Sequence, residues 1–317
     1  CANLRKGAVD ICVQIYAKCF LCCGKYNTVH NNQLDFCVAK LICYAKDKLT
    51  IDIIFEEILF IKMKITFLGT GTSQGVPVIS CQCTVCSSSN VKDKRLRTSI
   101  LIEKNDLSIA IDCSPDFRQQ MLVAKPNKLD AIVFTHEHQD HIGGLDDVRA
   151  FNFSQKQSLN VYGTKRVNGR LVHMFDYAFG ERKYPGAPQI TLNEILESRA
   201  FNVYGLEFMP INGLHGNWPV LGFRFENVTY LTDVNFVSDG EKAKVKDTEV
   251  LIISALRKEK HHSHFTLSEA IEFSNQVGAE KTYITHVSHQ MGLHVNVEKE
   301  LPPNVFLAYD NLILKVD

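Results

Sequence analysis

The chain holds 317 residues, enough for one large domain or two small ones. Its 35 basic and 35 acidic side chains cancel, so no global field recruits nucleic acid or an anionic membrane. No apolar run reaches the length of a membrane span, which leaves recognition to local clusters.

Residues 1–62 differ from everything after them. They contain no proline, show no sustained helical or strand period, and hold seven of the eleven cysteines: Cys1, Cys12, Cys19, Cys22, Cys23, Cys37 and Cys43. No cleavage-site pattern marks a secretory signal peptide. Met63 then opens a clean strand and glycine loop. The expectation is that the native protein begins at Met63 and that 1–62 is translated upstream sequence or an unrelated extension. The alternative is a small cysteine-rich domain.

Lys64 to Leu68 reads as a strand. It runs into Gly69-Thr70-Gly71-Thr72-Ser73-Gln74-Gly75-Val76-Pro77, whose three glycines allow close backbone approach to a ligand. No GKS or GKT closes it as a nucleotide P-loop, and an ordinary turn is the plain alternative. Next come Cys81, Cys83 and Cys86, three thiols able to fill three corners of a tetrahedral zinc site. Such spacing fits a metal site in a reducing, cytoplasmic compartment better than disulfides. Thr98–Glu103 and Leu107–Asp112 read as paired strands, the second ending on a carboxylate that could orient a metal loop. Ser114-Pro115 reads as a helix start, with proline at the first position and Asp116 in the first turn. Cys113, with no partner in sequence, reads as a small buried residue.

The densest chemistry lies in Thr135 to Gly144, THEHQDHIGG, where His136, Glu137, His138, Asp140 and His141 crowd into six positions. The apolar run Leu129–Phe134 reads as a short buried strand leading in. Residues two apart in an extended segment point the same way, so His136 and His138 can share a metal. Asp140 and His141, past the turn, can reach a second. Imidazole and carboxylate suit Zn²⁺, Mn²⁺ or Fe²⁺; a solvated histidine-rich loop is the bland alternative. Gly143-Gly144 permit a sharp turn before a helix-like stretch from Leu145.

Leu159–Tyr162 reads as a strand and Lys165–Phe175 as a helix, within which His173 is read as structural. The loop Gly180–Pro188 is basic and aromatic and could cover a substrate or merely connect elements. Three candidates then close strand-like runs: His215 after Leu206–Pro210, Asp233 after Val228–Thr232, and His286 after Lys281–Thr285, with His289 three residues on. Strand ends are where a metal centre at a sheet edge needs its ligands. His261, His262 and His264 precede a helix, Thr266–Gln276, that carries a Thr266/Glu269 capping box; one of the three is a candidate catalytic group.

From Met63 to Asp317 this order of motifs resembles the metallo-β-lactamase fold superfamily. The Cys81-x-Cys83-x-x-Cys86 insertion and His289 are similar to the cyclic phosphodiesterases that open phosphoribosyl 1,2-cyclic phosphate and carry a structural zinc on such a set. The entry loop and the His264-x-Thr266 segment resemble the tRNA 3′-end nucleases, in which a histidine before a threonine is a proposed general acid. The resemblance implies a mixed α/β, four-layer αββα sandwich. It implies two divalent catalytic ions, zinc or manganese, held by His136, His138 and His215 and by Asp140, His141 and His286. Asp233 bridges them, and Asp112 stands behind the ligands. One structural zinc falls to Cys81, Cys83, Cys86 and His289.

The expected enzyme is therefore a dinuclear metal-dependent hydrolase, with Asp140 and His264 counted as catalytic. Two ions about 3.5–4 Å apart hold a hydroxide for in-line attack on phosphorus. His264 protonates the leaving alkoxide, since an imidazole titrates near neutral pH. Ser73 and the amides of the glycine loop are weaker candidates for phosphate oxygens. The expected partner is a small cyclic or nucleotide-like phosphodiester. No long Gly/Pro-rich arm follows Met63, so nucleic acid is the less favoured substrate. No membrane is expected, and a homodimer is left open. Rival functions are a tRNA 3′-processing nuclease, a β-lactam or thioester hydrolase, an iron-dependent oxygen or sulfur chemistry, and a non-catalytic scaffold.

Overall fold

A computed structural model describes residues 63–180 and 184–316; the expectation for 1–62 lies outside them. In chain order the first half runs β1 (Met63–Gly69), β2 (Ser99–Lys104), β3 (Leu107–Ile111), α1 (Phe117–Ala124), β4 (Ala131–Val133), α2 (Gln139–Ile142), α3 (Arg149–Gln155), β5 (Leu159–Gly163), α4 (Lys165–Met174), α5 (Asp176–Phe179) and β6 (Ile190–Glu194). The second half runs β7 (Phe201–Val203), β8 (Leu206–His215), β9 (Trp218–Phe225), β10 (Val228–Leu231), β11 (Phe236–Val237), α6 (Asp239–Val245), β12 (Val250–Ser254), α7 (Leu267–Val277), β13 (Lys281–Thr285), α8 (His294–Val297), β14 (Val305–Leu307) and β15 (Ile313–Val316).

One sheet has the strand order β15-β1-β2-β3-β4-β5-β6 and the other β11-β8-β9-β10-β12-β13-β14, with β7 added beside β8. Successive side chains of a strand face opposite ways, and the buried residues divide accordingly. Ile100, Ile102, Ile109, Ile111, Ala131 and Val133 of the first sheet meet Phe223, Phe225, Tyr230 and Ile252 of the second in one apolar layer. Their neighbours Leu101, Ala110 and Ile132 face outward onto Phe117 of α1 and Leu171 of α4. Leu251 and Ile253 likewise meet Ala270 and Phe273 of α7. Both sheets are thus covered on both faces, which makes the four layers αββα expected from the resemblance.

Several local expectations need correction. Pro115 does not start a helix; α1 begins at Phe117, and Asp116 makes no side-chain cap bond. Its carboxylate is instead held by Arg97, through the backbone N–H (2.9 Å) and the guanidinium (2.9 Å). The strand expected to stop at Pro210 continues to His215. Gly143 and Gly144 do make the turn before the helical stretch from Leu145, but with negative φ, −69° and −95°. A Cβ on Gly144 would lie 2.0 Å from the Ser114 carbonyl oxygen; the glycine is there for close chain packing. Gly69 is similar, with the Arg97 carbonyl oxygen 2.0 Å from its Cβ position. His173 is exposed on α4 rather than packed.

Candidate metal centre and its surroundings

The site forms where strands of the two sheets end. Three of its residues, Asp112 after β3, Asp233 after β10 and His286 after β13, have left-handed backbone, with φ of 66°, 52° and 56°. Non-glycine residues are uncommon there, and such strain clusters at functional sites. Hydrogen bonds pin the flanking peptides. The Asp112 N–H donates to the Val133 carbonyl (3.0 Å), and Val287 N–H to Thr70 (2.9 Å).

Asp233 is the hub. Its Oδ1 lies 2.8 Å from His286 Nε2, and its Oδ2 lies 3.4 Å from His141 Nε2 and 3.7 Å from His136 Nε2. Ligand-type atoms fall into three sets around it: Asp140, His141 and His286; His136 and His138; His215 and His264. The first set is the one expected. His215 groups with His264 rather than with the pair it was expected to join, although its ring centroid is 5.2 Å from that of His138. Its Nδ1 is 2.7 Å from the Ser263 carbonyl, which leaves Nε2 to the cluster.

Burial and charge divide the proton affinities. Burial pushes His136 well below the ordinary imidazole range, and the charge on His141 adds to it. Burial opposes a proton on His141 too, but Asp140, Asp112 and Asp233 together hold it well above that range. Burial would raise Asp140 and Asp233; neighbouring histidine charge outweighs it and keeps both carboxylates well below the usual range. The buried atoms His141 Nε2 and His286 Nδ1 and Nε2 make no hydrogen bond despite the nearby carboxylates. Buried polar atoms seldom go unpartnered. Imidazole nitrogens and carboxylate oxygens so arranged fit divalent cations of the zinc or manganese kind.

His264 is buried. Its ring centroid stands 4.4 Å from His215 and 5.0 Å from His286. The Phe265 N–H bonds the Val234 carbonyl (2.9 Å), tying this segment beside Asp233. His261 is half-buried and His262 exposed, so the structure brings only His264 of the three into the cluster. Burial pushes it down to about 3, against a smaller upward pull from Asp233.

The cysteine set lies apart from these groups. Cys81, Cys83 and Cys86 place Sγ 3.3, 3.4 and 3.5 Å from His289 Nδ1. Zinc–sulfur and zinc–nitrogen bonds at a tetrahedral angle predict ~3.6 Å for this separation, so the four fit one zinc. Backbone N–H groups of Val78 and Cys86 donate to Cys86 Sγ and Cys83 Sγ, both at 3.4 Å. The second bond draws Cys83 down to about 6, whereas burial pushes Cys86 up to about 11. Cys113 is fully buried, as expected. Ser73 is exposed, and its carbonyl accepts from Arg97 Nε (2.9 Å).

A family model described as the β-lactamase superfamily domain matches residues 108–287, which carry all three sets around Asp233. The chain belongs to the β-lactamase superfamily. It is a hydrolase of the metallo-β-lactamase fold. A solved structure described as a new diphosphatase from the PhnP family is 36% identical, with a TM-score of 0.75, covering 80% of this chain and 97% of that one. The short form of human tRNase Z shares the fold at 20% identity and a TM-score of 0.58, covering 80% and 99%. Ribonuclease Z of Streptococcus equi subsp. equi is 25% identical, covering 71% of this chain and 89% of its own. A protein of Porphyromonas gingivalis named octanoyltransferase is 39% identical over 257 residues, 80% of this chain; the chain spans only 52% of that protein.

The sequence reading missed three parts of this superfamily site. Thr135 bonds Asp112 through its N–H (2.9 Å) and its hydroxyl (3.0 and 2.9 Å); its place just before His136 was the available signal. The Ser263 carbonyl has no sequence signal. Glu137 pairs with Arg166 (2.9 Å), which no short-range spacing foretells.

Proposed function

We propose that the chain is a dinuclear metal-dependent phosphodiesterase acting on small cyclic or nucleotide-like phosphodiesters. The observation that carries the reading is Asp233, whose carboxylate reaches nitrogens of both expected sets, His286 from Oδ1 and His141 and His136 from Oδ2. His136, His138 and His215 would hold one ion, and Asp140, His141 and His286 the other, with Asp233 common to both. When bound, such a pair supplies an activated water and neutralises charge at phosphorus. The likeness to a diphosphatase over 97% of its length supports phosphorus over carbonyl chemistry.

The chain's own residues would do the rest. Asp112, 2.7 Å from His141 Nδ1, takes that N–H and leaves Nε2 facing the cluster. Ser263 does the same for His215. His264 would give its proton to the leaving oxygen. An anionic phosphodiester beside the ring favours its charged form, opposing the downward push of burial. The thiolate zinc would hold the Cys81–Cys86 loop against His289.

The test is a substrate panel with metal analysis of the same sample: bis-p-nitrophenyl phosphate, 2′,3′-cyclic nucleotides, phosphoribosyl 1,2-cyclic phosphate and precursor tRNA, beside a thioester and a β-lactam. Turnover of the small phosphodiesters is expected. Turnover confined to the thioester would replace the reading with acyl chemistry, and cleavage confined to precursor tRNA with RNA processing.

A further inference from the structure

Trp218 is the chain's only tryptophan, and it stands 57% exposed. It begins β9 directly across from His215, the last residue of β8. Directly paired residues share a face of the sheet, with Cβ atoms about 4.5–5.5 Å apart. The indole therefore stands one cross-strand step from an imidazole of the metal cluster, on the same side.

Its other neighbour is as specific. The Arg166 guanidinium carbon lies 5.7 Å from the indole centroid. That guanidinium is held twice more, by Glu137 (Nε to Oε1, 2.9 Å) and by the Pro219 carbonyl. Glu137 sits between His136 and His138, so the clamp joins the metal loop to α4 and to the start of β9. A large aromatic surface is thus fixed beside the cluster with more than half of it open to solvent. The packing of the hairpin does not use that surface.

Resting on the phosphodiesterase reading, we propose that Trp218 is a specificity-determining residue: it stacks the base of a nucleotide-bearing phosphodiester, and Arg166 holds the ring in place. Every nucleobase has a π-face, so an indole selects for a base over a bare sugar without reading its identity. Glu137 and the Pro219 carbonyl occupy the guanidinium, which makes Arg166 a positioning residue.

The single tryptophan makes the test direct. In zinc-loaded full-length protein, tryptophan emission should change saturably on titration with AMP and stay flat with ribose 5-phosphate. Trp218→Ala should lower the ratio of kcat/KM on 2′,3′-cyclic AMP to that on glycerol 1,2-cyclic phosphate by roughly 5- to 150-fold, the span of base–aromatic stacking. The loss should lie in KM, and Trp218→Phe should restore most of the ratio. An unaltered ratio in Trp218→Ala, or flat emission at saturating AMP, overturns the proposal while leaving the phosphodiesterase reading intact. If neither cyclic phosphate is hydrolysed, that reading fails, and the emission titration alone then decides whether the indole meets a base.

Discussion

Asp112 Oδ2 lies 2.7 Å from His141 Nδ1, and neither side chain is exposed to solvent. The pair holds an N–H at Nδ1 of His141 and turns Nε2 toward Asp233. Asp112→Asn removes the negative charge and turns the partner into a group that can donate instead of accept. Metal affinity or activity should fall about 10–100-fold, measured by zinc titration against a competing chelator. Unchanged affinity and rate would show that the carboxylate is only a packing element.

Metal content tests the division of the ligands. Two ions around Asp233 and one on the cysteine set predict three per chain. Cys83→Ser should lose one zinc and lower the thermal midpoint, because a thiolate site contributes its binding energy to folding. Two ions in the fully loaded wild type would remove the third site.

His264→Ala separates acid from ligand. A general acid should cost roughly 10²–10⁴-fold in rate. The loss should be much smaller on p-nitrophenyl esters, whose leaving group departs without a proton, and both catalytic ions should remain. Loss of an ion would instead make His264 a ligand beside His215 and Asp233, with which its nitrogen already groups. Equal rate losses on good and poor leaving groups, with metals retained, would assign it to substrate positioning.

Gly69→Ala probes a packing constraint unrelated to substrate. Its Cβ would meet the Arg97 carbonyl oxygen at 2.0 Å, and backbone cannot swing aside as a side chain can. Overpacking of this kind costs about 1–3 kcal/mol or more, read from denaturant unfolding. A neutral substitution would mean that β1 and the Arg97 segment separate easily there.

The residues of the cluster around Asp233 were more legible in the sequence than their surroundings. His136, His138, Asp140 and His141 are legible because one loop holds them all and period-two geometry tells which can face together. Asp233 and His286 are legible at strand ends because polar residues there lack a packing reason. The two-sheet sandwich came from resemblance: β1 pairs with β15, a contact between strands far apart in sequence that local patterns do not encode. What Gly69 and Gly144 pack against was not legible, because a glycine signals space without saying what fills it. The burial of His264 was not legible for a related reason, since it is set by segments distant in sequence. Trp218 went unremarked because its meaning lies in the cross-strand pairing with His215 rather than in the adjacent residues.

His286 and His289 are separated by two residues, one of which, Val287, is bonded on both sides to the entry loop through Thr70 and Thr72. The cysteine cluster and the cluster around Asp233 are therefore fastened to the same short rod of backbone. A genetic screen for inactive variants should accordingly return changes at the cysteines alongside changes at the histidines and carboxylates around Asp233.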